Sequence, residues 1–190
     1  VTNLSDIKRK NIIGGKQINT IHFIDQIAYF GTQFGIVVFD MQALEIKDTW
    51  YIGPNGSSIN VQDFNDNDTA FFAATEEGFF SAPISGVNHA FFANWTKDLS
   101  LPQPDLNYNS FCFYKDKILI NNSNHAYSTD TIYIKDANGW AYFDTTITGP
   151  IYHLRSFGDT LLIIGDIYIY YYQDLQKSFN KRWVKGYRKY

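Results

Sequence analysis

Five oxygen-bearing side chains between positions 63 and 68 have a composition typical of a calcium-binding loop: Asp63, Asn65, Asp66, Asn67 and Asp68. A loop of that kind needs a glycine at its sixth position and a bidentate glutamate at its twelfth. Counted from Asp63, these positions hold Asp68 and Ala74. The segment is therefore more typical of a solvated hairpin tip rich in turn formers, and we expect no metal and no other cofactor.

The remaining reactive side chains form no catalytic or zinc-binding pattern in the sequence. The four histidines lie far apart, at His22, His89, His125 and His153. The single cysteine, Cys112, excludes an internal disulfide. The segment around Asp136 resembles the Asp-box turn of sialidase propellers, but it lacks the Ser or Thr two residues before that aspartate and the Gly two residues after it. We therefore expect a protein that is not an enzyme.

The last residues of the chain are basic, whereas the rest is acidic. The formal net charge is -3, although residues 177–190 contain only cationic side chains among their charged residues. Four of these are candidates for contacts with an anionic glycolipid: Lys181, Arg182, Lys185 and Arg188. The alternative is that basic residues on an outer strand prevent edge-to-edge strand pairing. The acidic body argues against a nucleic-acid partner.

Composition favours a folded β protein. The chain has 190 residues, 45% of them hydrophobic, with 16 Phe, 14 Tyr and 4 Trp, which excludes a disordered chain. Aromatic and β-branched residues favour strands. No apolar run reaches the roughly 18 residues of a membrane span, because the most apolar stretch, residues 161–172, contains Asp166.

The sequence repeats with a period typical of propeller blades. Thr32 and Gly35 match Thr75 and Gly78, each 43 positions later, and weaker copies of the same turn-then-strand pattern begin near residues 114 and 157. A repeat of this length holds about four short strands. The two glycines are predicted to form turns with positive φ, which only glycine adopts easily.

We therefore expect an all-β propeller of about four four-stranded antiparallel blades. The predicted blades are residues 18–58, 59–107, 108–150 and 151–190, preceded at 1–17 by an outer strand and connector of another blade. The fourth strand of the second blade is poorly defined, near residues 91–96. The segment at 1–17 favours a slice of a larger propeller, and a closed small ring is the alternative.

Several segments resemble the N-terminal β-propeller of the PorZ family of the bacterial type IX secretion machinery. They include Leu4-Ser-Asp-Ile-Lys-Arg-Lys10 and Tyr51-Ile-Gly-Pro-Asn-Gly56, together with residues 16–19, 34–38, 45–49 and 73–78. The strong resemblance covers about residues 1–82. It implies a portion of a multi-domain protein with two seven-bladed propellers and a C-terminal sorting domain, exported through the periplasm to the outer membrane surface.

The resemblance also implies a function without catalysis. Such proteins act with a sortase-like partner that attaches anionic lipopolysaccharide to secreted cargo, and the family motif supplies no catalytic residue for this chain. We expect a binding scaffold. A looser resemblance, to the propellers of hybrid two-component sensors, makes a ligand-sensing ectodomain the alternative, although those propellers do not share the Asp-Ile-Lys-Arg-Lys run.

Four threonines follow an aspartate and precede an aliphatic residue or a second threonine: Thr69, Thr131, Thr145 and Thr160. This order resembles the sequon that some bacteria with type IX secretion use for O-glycosylation in the periplasm. The alternative is that the aspartate starts a turn and the threonine starts a strand.

Overall fold

The computed structural model describes residues 15–124, 129–166 and 168–173 with their side chains, and residues 176–183 as a backbone strand. These residues form strands and two short 3-10 turns, Pro54–Gly56 and Phe92–Asn94, and no α-helix. None of the described segments is a helix long and apolar enough to cross a bilayer. The chain divides into two compact units, Val1–Asp98 and Leu99–Tyr190.

Unit 1 contains two four-stranded antiparallel sheets, each built from strands that follow one another along the chain. The strands of the first sheet are β1 (Ile18–Ile24), β2 (Ile27–Thr32), β3 (Gly35–Asp40) and β4 (Glu45–Trp50). Those of the second sheet are β5 (Val61–Asp66), β6 (Ala70–Thr75), β7 (Gly78–Pro83) and β8 (Thr96–Lys97).

Unit 2 repeats this arrangement, with two further four-stranded antiparallel sheets. The third sheet consists of β9 (Tyr108–Tyr114), β10 (Lys117–Asn122), β11 (Thr131–Asp136) and β12 (Gly139–Tyr142). The fourth consists of β13 (Ile151–Phe157), β14 (Thr160–Gly165), β15 (Tyr168–Gln173) and β16 (Gln176–Trp183). Four consecutive antiparallel sheets of four strands confirm the predicted propeller fold, whereas the blade boundaries stay predictions.

The repeated threonine and glycine form the same turn in both sheets of unit 1. Thr32 pairs with Gly35 across β2 and β3, and its hydroxyl donates to the Gly35 carbonyl at 2.8 Å. Thr75 and Gly78 form the same pair, with the same 2.8 Å bond. The glycines have φ values of 141° and 132°, so the predicted positive φ is confirmed at both turns.

The core of unit 1 lies between its two sheets. β3 is buried on both faces, which explains why its sequence is a continuous apolar run and does not alternate. Aromatic rings fill the space between the sheets: the Tyr29 ring lies 5.5 Å from Trp50, 5.5 Å from Phe64 and 5.3 Å from Phe71, measured between centroids. Burial of such large rings is the main stabilising contribution.

An asparagine at the start of the first strand ties the two sheets together in each unit. The Asn19 side-chain amide donates to the Val61 carbonyl at 2.8 Å. In unit 2 the Asn109 amide donates to the Ile151 carbonyl, also at 2.8 Å. Both donors lie 42 residues before their acceptors, so this bond is a second repeated feature beside the threonine–glycine turn.

The fourth strand of the second sheet differs from the prediction. Residues 91–96 were expected to form it, but β8 is a two-residue strand preceded by the 3-10 turn at Phe92–Asn94. The reason is the side chain of Trp95, which is buried in the core and donates its ring N–H to the His89 carbonyl at 3.0 Å. The Asn94 amide donates to the Asn88 carbonyl at 2.8 Å, and these bonds fold the segment back on itself.

Candidate functional site

Two of the four predicted basic contacts, Lys181 and Arg182, lie on β16, the last strand of the fourth sheet. Their backbones pair with Tyr170 and Ile169 of β15. Lys185 and Arg188 lie outside the described residues. The position of β16 at the end of its sheet fits both interpretations of the basic residues, because an edge strand is accessible to a ligand and also needs protection against pairing.

The four candidate glycosylation threonines differ in accessibility. Thr69 and Thr145 are exposed, whereas Thr131 and Thr160 are half-buried at the first positions of β11 and β14. The Thr69 hydroxyl donates to the Asn67 side chain at 2.8 Å within its turn. Turn and strand-start geometry thus accounts for these positions, and glycosylation stays a prediction.

The acidic segment at residues 63–68 uses its oxygens for structure. Asp63 is buried on β5 and accepts the Thr20 hydroxyl at 3.3 Å. Asp66 Oδ1 lies 2.7 Å from His22 Nε2, and its other oxygen accepts the Asp68 backbone N–H. These contacts join β5 to β1 and close the hairpin. Throughout the described ranges, no three His, Cys, Asp or Glu side chains come together as metal ligands do.

The remaining histidines and the segment that resembles an Asp-box show no sign of a catalytic role in the described part of the chain. His89 is half-buried and packs against the aromatic core of unit 1, with its ring centroid 4.7 Å from that of Trp50. His153 lies on β13, and His125 falls outside the described residues. The segment that resembles an Asp-box is the β11–β12 hairpin, in which the Lys135 ammonium lies 5.2 Å from the Trp140 ring centroid.

Sequence reasoning missed a groove in unit 2. It consists of two adjoining cavities of about 190 and 260 Å³ that share Thr148. We call it the tyrosine–aspartate groove, after its most prominent lining side chains: Tyr142, Tyr168, Tyr170, Asp130, Asp144 and Asp166. Threonines and glycines complete the lining, among them two of the candidate glycosylation sites, Thr131 and Thr145.

Three connections between strands meet at this groove. Thr129 and Asp130 come from the connection before β11, residues within 144–150 from the connection between β12 and β13, and Asp166 from the connection after β14. In unit 1 the equivalent of the first connection is a tight two-residue turn, at 33–34 and again at 76–77. A longer connection at one end of a repeat is a common way for repeat proteins to form a binding surface.

Hydrogen bonds hold two of the carboxylates of the groove in place. Asp144 accepts the Tyr172 hydroxyl at 2.8 Å and the Thr146 backbone N–H at 2.8 Å. Asp130 accepts the Ile151 backbone N–H and the Asn121 amide, each at 2.8 Å. The groove therefore presents carboxylates in fixed positions.

The third carboxylate, Asp166, is exposed and accepts the Tyr152 hydroxyl at 3.4 Å. Burial raises the pKa of the Tyr152 hydroxyl, and the negative charges of Asp166 and Asp130 raise it further. Burial likewise raises the pKa of Tyr170, with a contribution from Asp144. Burial is the main cause of both pKa shifts, and the smaller contribution of the carboxylates reflects their negative charge.

The tyrosine run at residues 168–172 is partly core. Tyr170 and Tyr172 are only 2% and 3% exposed. Strand residues alternate between the two faces of a sheet, and these two face the third sheet, where the Tyr172 ring lies 5.0 Å from Phe143. The exposed rings near the groove are instead Tyr142 and Tyr152, at 64% and 47%.

Comparison with known proteins agrees with the resemblance seen in the sequence. Residues 1–96 match the family described as the N-terminal β-propeller domain of PorZ, TSS9. The chain belongs to this family. The matched segment is nearly all of unit 1, and the tyrosine–aspartate groove lies beyond it. A search of curated proteins gives no match.

Solved structures with similar folds are propellers. PorZ of Porphyromonas gingivalis, described as an essential bacterial surface component of the type-IX secretion system, superposes with a TM-score of 0.68 at 18% identity over 96% of this chain. The extracellular domain of the putative hybrid two-component system BT4673 of B. thetaiotaomicron gives 0.64 at 11% identity over 87% of this chain and 21% of its own. The computationally designed protein Ika4 gives 0.55 at 11% identity over 84% of this chain and 92% of its own. This chain spans 23% of the PorZ chain.

Proposed function

We propose that this chain is a non-catalytic docking propeller of a type IX secretion component at the bacterial cell surface. Membership of the PorZ family over residues 1–96 is the observation that carries the proposal. In this proposal the four sheets are part of a larger propeller, and the parent protein reaches the outer membrane surface through the periplasm. It helps to attach secreted cargo to anionic lipopolysaccharide, together with a sortase-like partner.

The internal structure of each unit supports a scaffold. Side chains in the first strand of the third sheet bond to the fourth sheet. The Ser110 hydroxyl accepts the Leu154 backbone N–H of β13 at 2.9 Å, and the Tyr114 hydroxyl donates to the Asp159 carbonyl, in the turn after β13, at 2.7 Å. Sheets held in this way change little when connecting loops vary, so the loops are free to specialise in binding. A rigid platform with variable loops suits a protein that positions partners.

The alternative of a ligand-sensing ectodomain has weaker support. The likeness to the two-component system BT4673 rests on 11% identity and therefore extends to the fold alone, whereas the PorZ match is a family match. The basic residues at the end of the chain add an electrostatic argument for contact with anionic lipopolysaccharide, with Lys181 and Arg182 on β16 as its described members.

The test is to delete this propeller from the parent protein in its native bacterium. We expect secreted cargo to be released from the surface, and pull-down of the intact parent to recover attachment proteins of the secretion system. Normal attachment of cargo in the deletion strain would refute the scaffold function.

A four-residue variant with Lys181, Arg182, Lys185 and Arg188 replaced by Ala tests the basic residues separately. Its matched control replaces four lysines elsewhere: Lys16, Lys47, Lys97 and Lys115. If the basic end contacts lipopolysaccharide, only the first variant loses binding to lipopolysaccharide vesicles. Equal binding by both variants would leave edge protection as the role of these residues.

A further inference from the structure

We propose that the tyrosine–aspartate groove of unit 2 binds a lysine- or arginine-bearing segment of a partner protein. The inference rests on the proposed docking function, because it names the kind of surface that one partner presents. It concerns a region outside residues 1–96, the segment of this chain that matches the family.

The lining of the groove is negatively charged. Among the described residues that line the two cavities are three aspartates, and neither lysine nor arginine is present there. A groove with several carboxylates and low-dielectric walls attracts cations and repels phosphate or carboxylate ligands. Lys181 and Arg182 of β16 pair through their backbones with β15, beside the cavity that Asp166 borders. The charge preference is therefore clearest at the cavity that Asp130 and Asp144 border.

Tyrosine rings line the groove beside the carboxylates. Tyr142 is 64% exposed, and its ring lies 5.3 Å from the buried ring of Tyr133, which supports it from behind. Tyr168 lies 5.9 Å from the buried ring of Tyr170. The face of a tyrosine ring attracts ammonium and guanidinium groups. Because these rings are already held by neighbours, little conformational entropy is lost on binding.

The two cavities of the groove are small. Each cavity, at about 190 and 260 Å³, is smaller than a typical small-molecule site of roughly 300 Å³ or more. Two small adjoining cavities fit individual side chains of an extended segment better than one compact ligand. Asp166 borders one cavity and Asp130 and Asp144 border the other, so each cavity has a negative charge near a cationic side chain. Both oxygens of Asp130 and of Asp144 also accept hydrogen bonds from the protein.

Fluorescence anisotropy with the purified chain tests the proposal. The probe is a short labelled peptide in which lysine and arginine alternate with glycine, compared with peptides carrying glutamate or glutamine in the same positions. We expect the basic peptide to bind most tightly, and its affinity to fall as salt is raised.

Two variants locate the binding. Asp166→Asn keeps the shape of an exposed side chain and removes its charge, so we expect the affinity for the basic peptide to fall about threefold. Tyr142→Ala removes the exposed ring, and we expect a similar loss of about threefold. The control is Asp136→Asn, on an exposed hairpin tip away from the lining residues, which should leave the affinity unchanged.

Three results would overturn the inference: no binding of the basic peptide at low salt, equal binding of the glutamate peptide, or unchanged affinity in both groove variants. Each is measured on the purified chain, whereas the docking function is tested by cargo attachment in cells. Loss of peptide binding with normal dependence of cargo attachment on the propeller would refute the groove and leave the scaffold function intact.

Discussion

Replacing Gly35 with alanine should destabilise unit 1 more than a glycine substitution at an open turn. Gly35 has a φ of 141°, and a Cβ atom at this position would meet the carbonyl oxygen of Trp50 on the neighbouring strand. Ile36, the next residue, pairs with Trp50 across β3 and β4. The substitution therefore combines backbone strain with displacement of a sheet carbonyl.

The size of the effect follows from these two parts. A non-glycine residue in such a backbone conformation costs about 1–3 kcal/mol, and loss of a buried sheet hydrogen bond costs about 1–3 kcal/mol more. We expect about 3 kcal/mol or more in total. The control is Gly86→Ala in the same unit, where φ is 81° and no atom lies within 4 Å of the new Cβ. This control contains the strain alone.

Urea and thermal unfolding monitored by tryptophan fluorescence measure both variants, because Trp50 and Trp95 are buried in unit 1. For a unit of roughly 100 residues, 1 kcal/mol shifts the melting temperature by about 4–8 °C. Gly35→Ala should therefore melt more than about 10 °C below the wild type, and Gly86→Ala should lose clearly less. Equal losses in the two variants would show that the close approach to the Trp50 carbonyl does not limit this position.

Three further predictions concern unit 2 and the candidate modification sites. Asn109→Ala removes the bond to the next sheet and should lower the free energy of unfolding by about 1–2 kcal/mol in urea titrations, whereas the exposed hairpin variant Asn138→Ala should not. Burial and the hydrogen bond to Asp144 raise the pKa of Tyr172 above its usual 10.0. The free energy of unfolding that this protonated hydroxyl contributes is therefore present below pH 10 and is lost as the pH rises further. Urea titrations at successive pH values should show a smaller loss of stability at alkaline pH for Tyr172→Phe than for the wild type. If the sequons are used, mass spectrometry of protein from its native periplasm will find glycan on the exposed Thr69 before the half-buried Thr160, and unmodified Thr69 would contradict this.

The repeated features of the fold could be predicted because they are local. Thr32 and Gly35 carry their conformation with them: a threonine hydroxyl that bonds within its turn and a glycine that tolerates positive φ require the same residue types wherever the turn occurs. The equivalence of Thr75 and Gly78 was visible for that reason. The predicted position of the fourth strand in the second sheet was wrong because burial of one side chain, Trp95, outweighed the strand propensity of its neighbours.

The groove could not be predicted because its residues have no common spacing. Asp130, Asp144 and Asp166 lie in three different connections, and only the pairing of β10 with β11 and of β13 with β14 brings these connections to one end of the sheets. The tyrosine run at residues 168–172 does not mark the groove either, since aromatic residues in a strand alternate between core and surface. One feature of the sequence does point to this end of the third sheet: the segment at residues 123–130 is longer than the equivalent two-residue turns of unit 1.

That difference in length distinguishes the third sheet from the two sheets of unit 1. The family match ends near residue 96, and in unit 1 the connections between the second and third strands of each sheet are tight two-residue turns. In unit 2 the same sheet-to-sheet asparagine bond is present at Asn109, alongside the longer connection between β10 and β11. Since connections at the end of a sheet can vary without changing the strands that they join, we expect that the groove can differ between relatives that share the fold. Its charge and aromatic lining are therefore where we expect relatives with different partners to diverge.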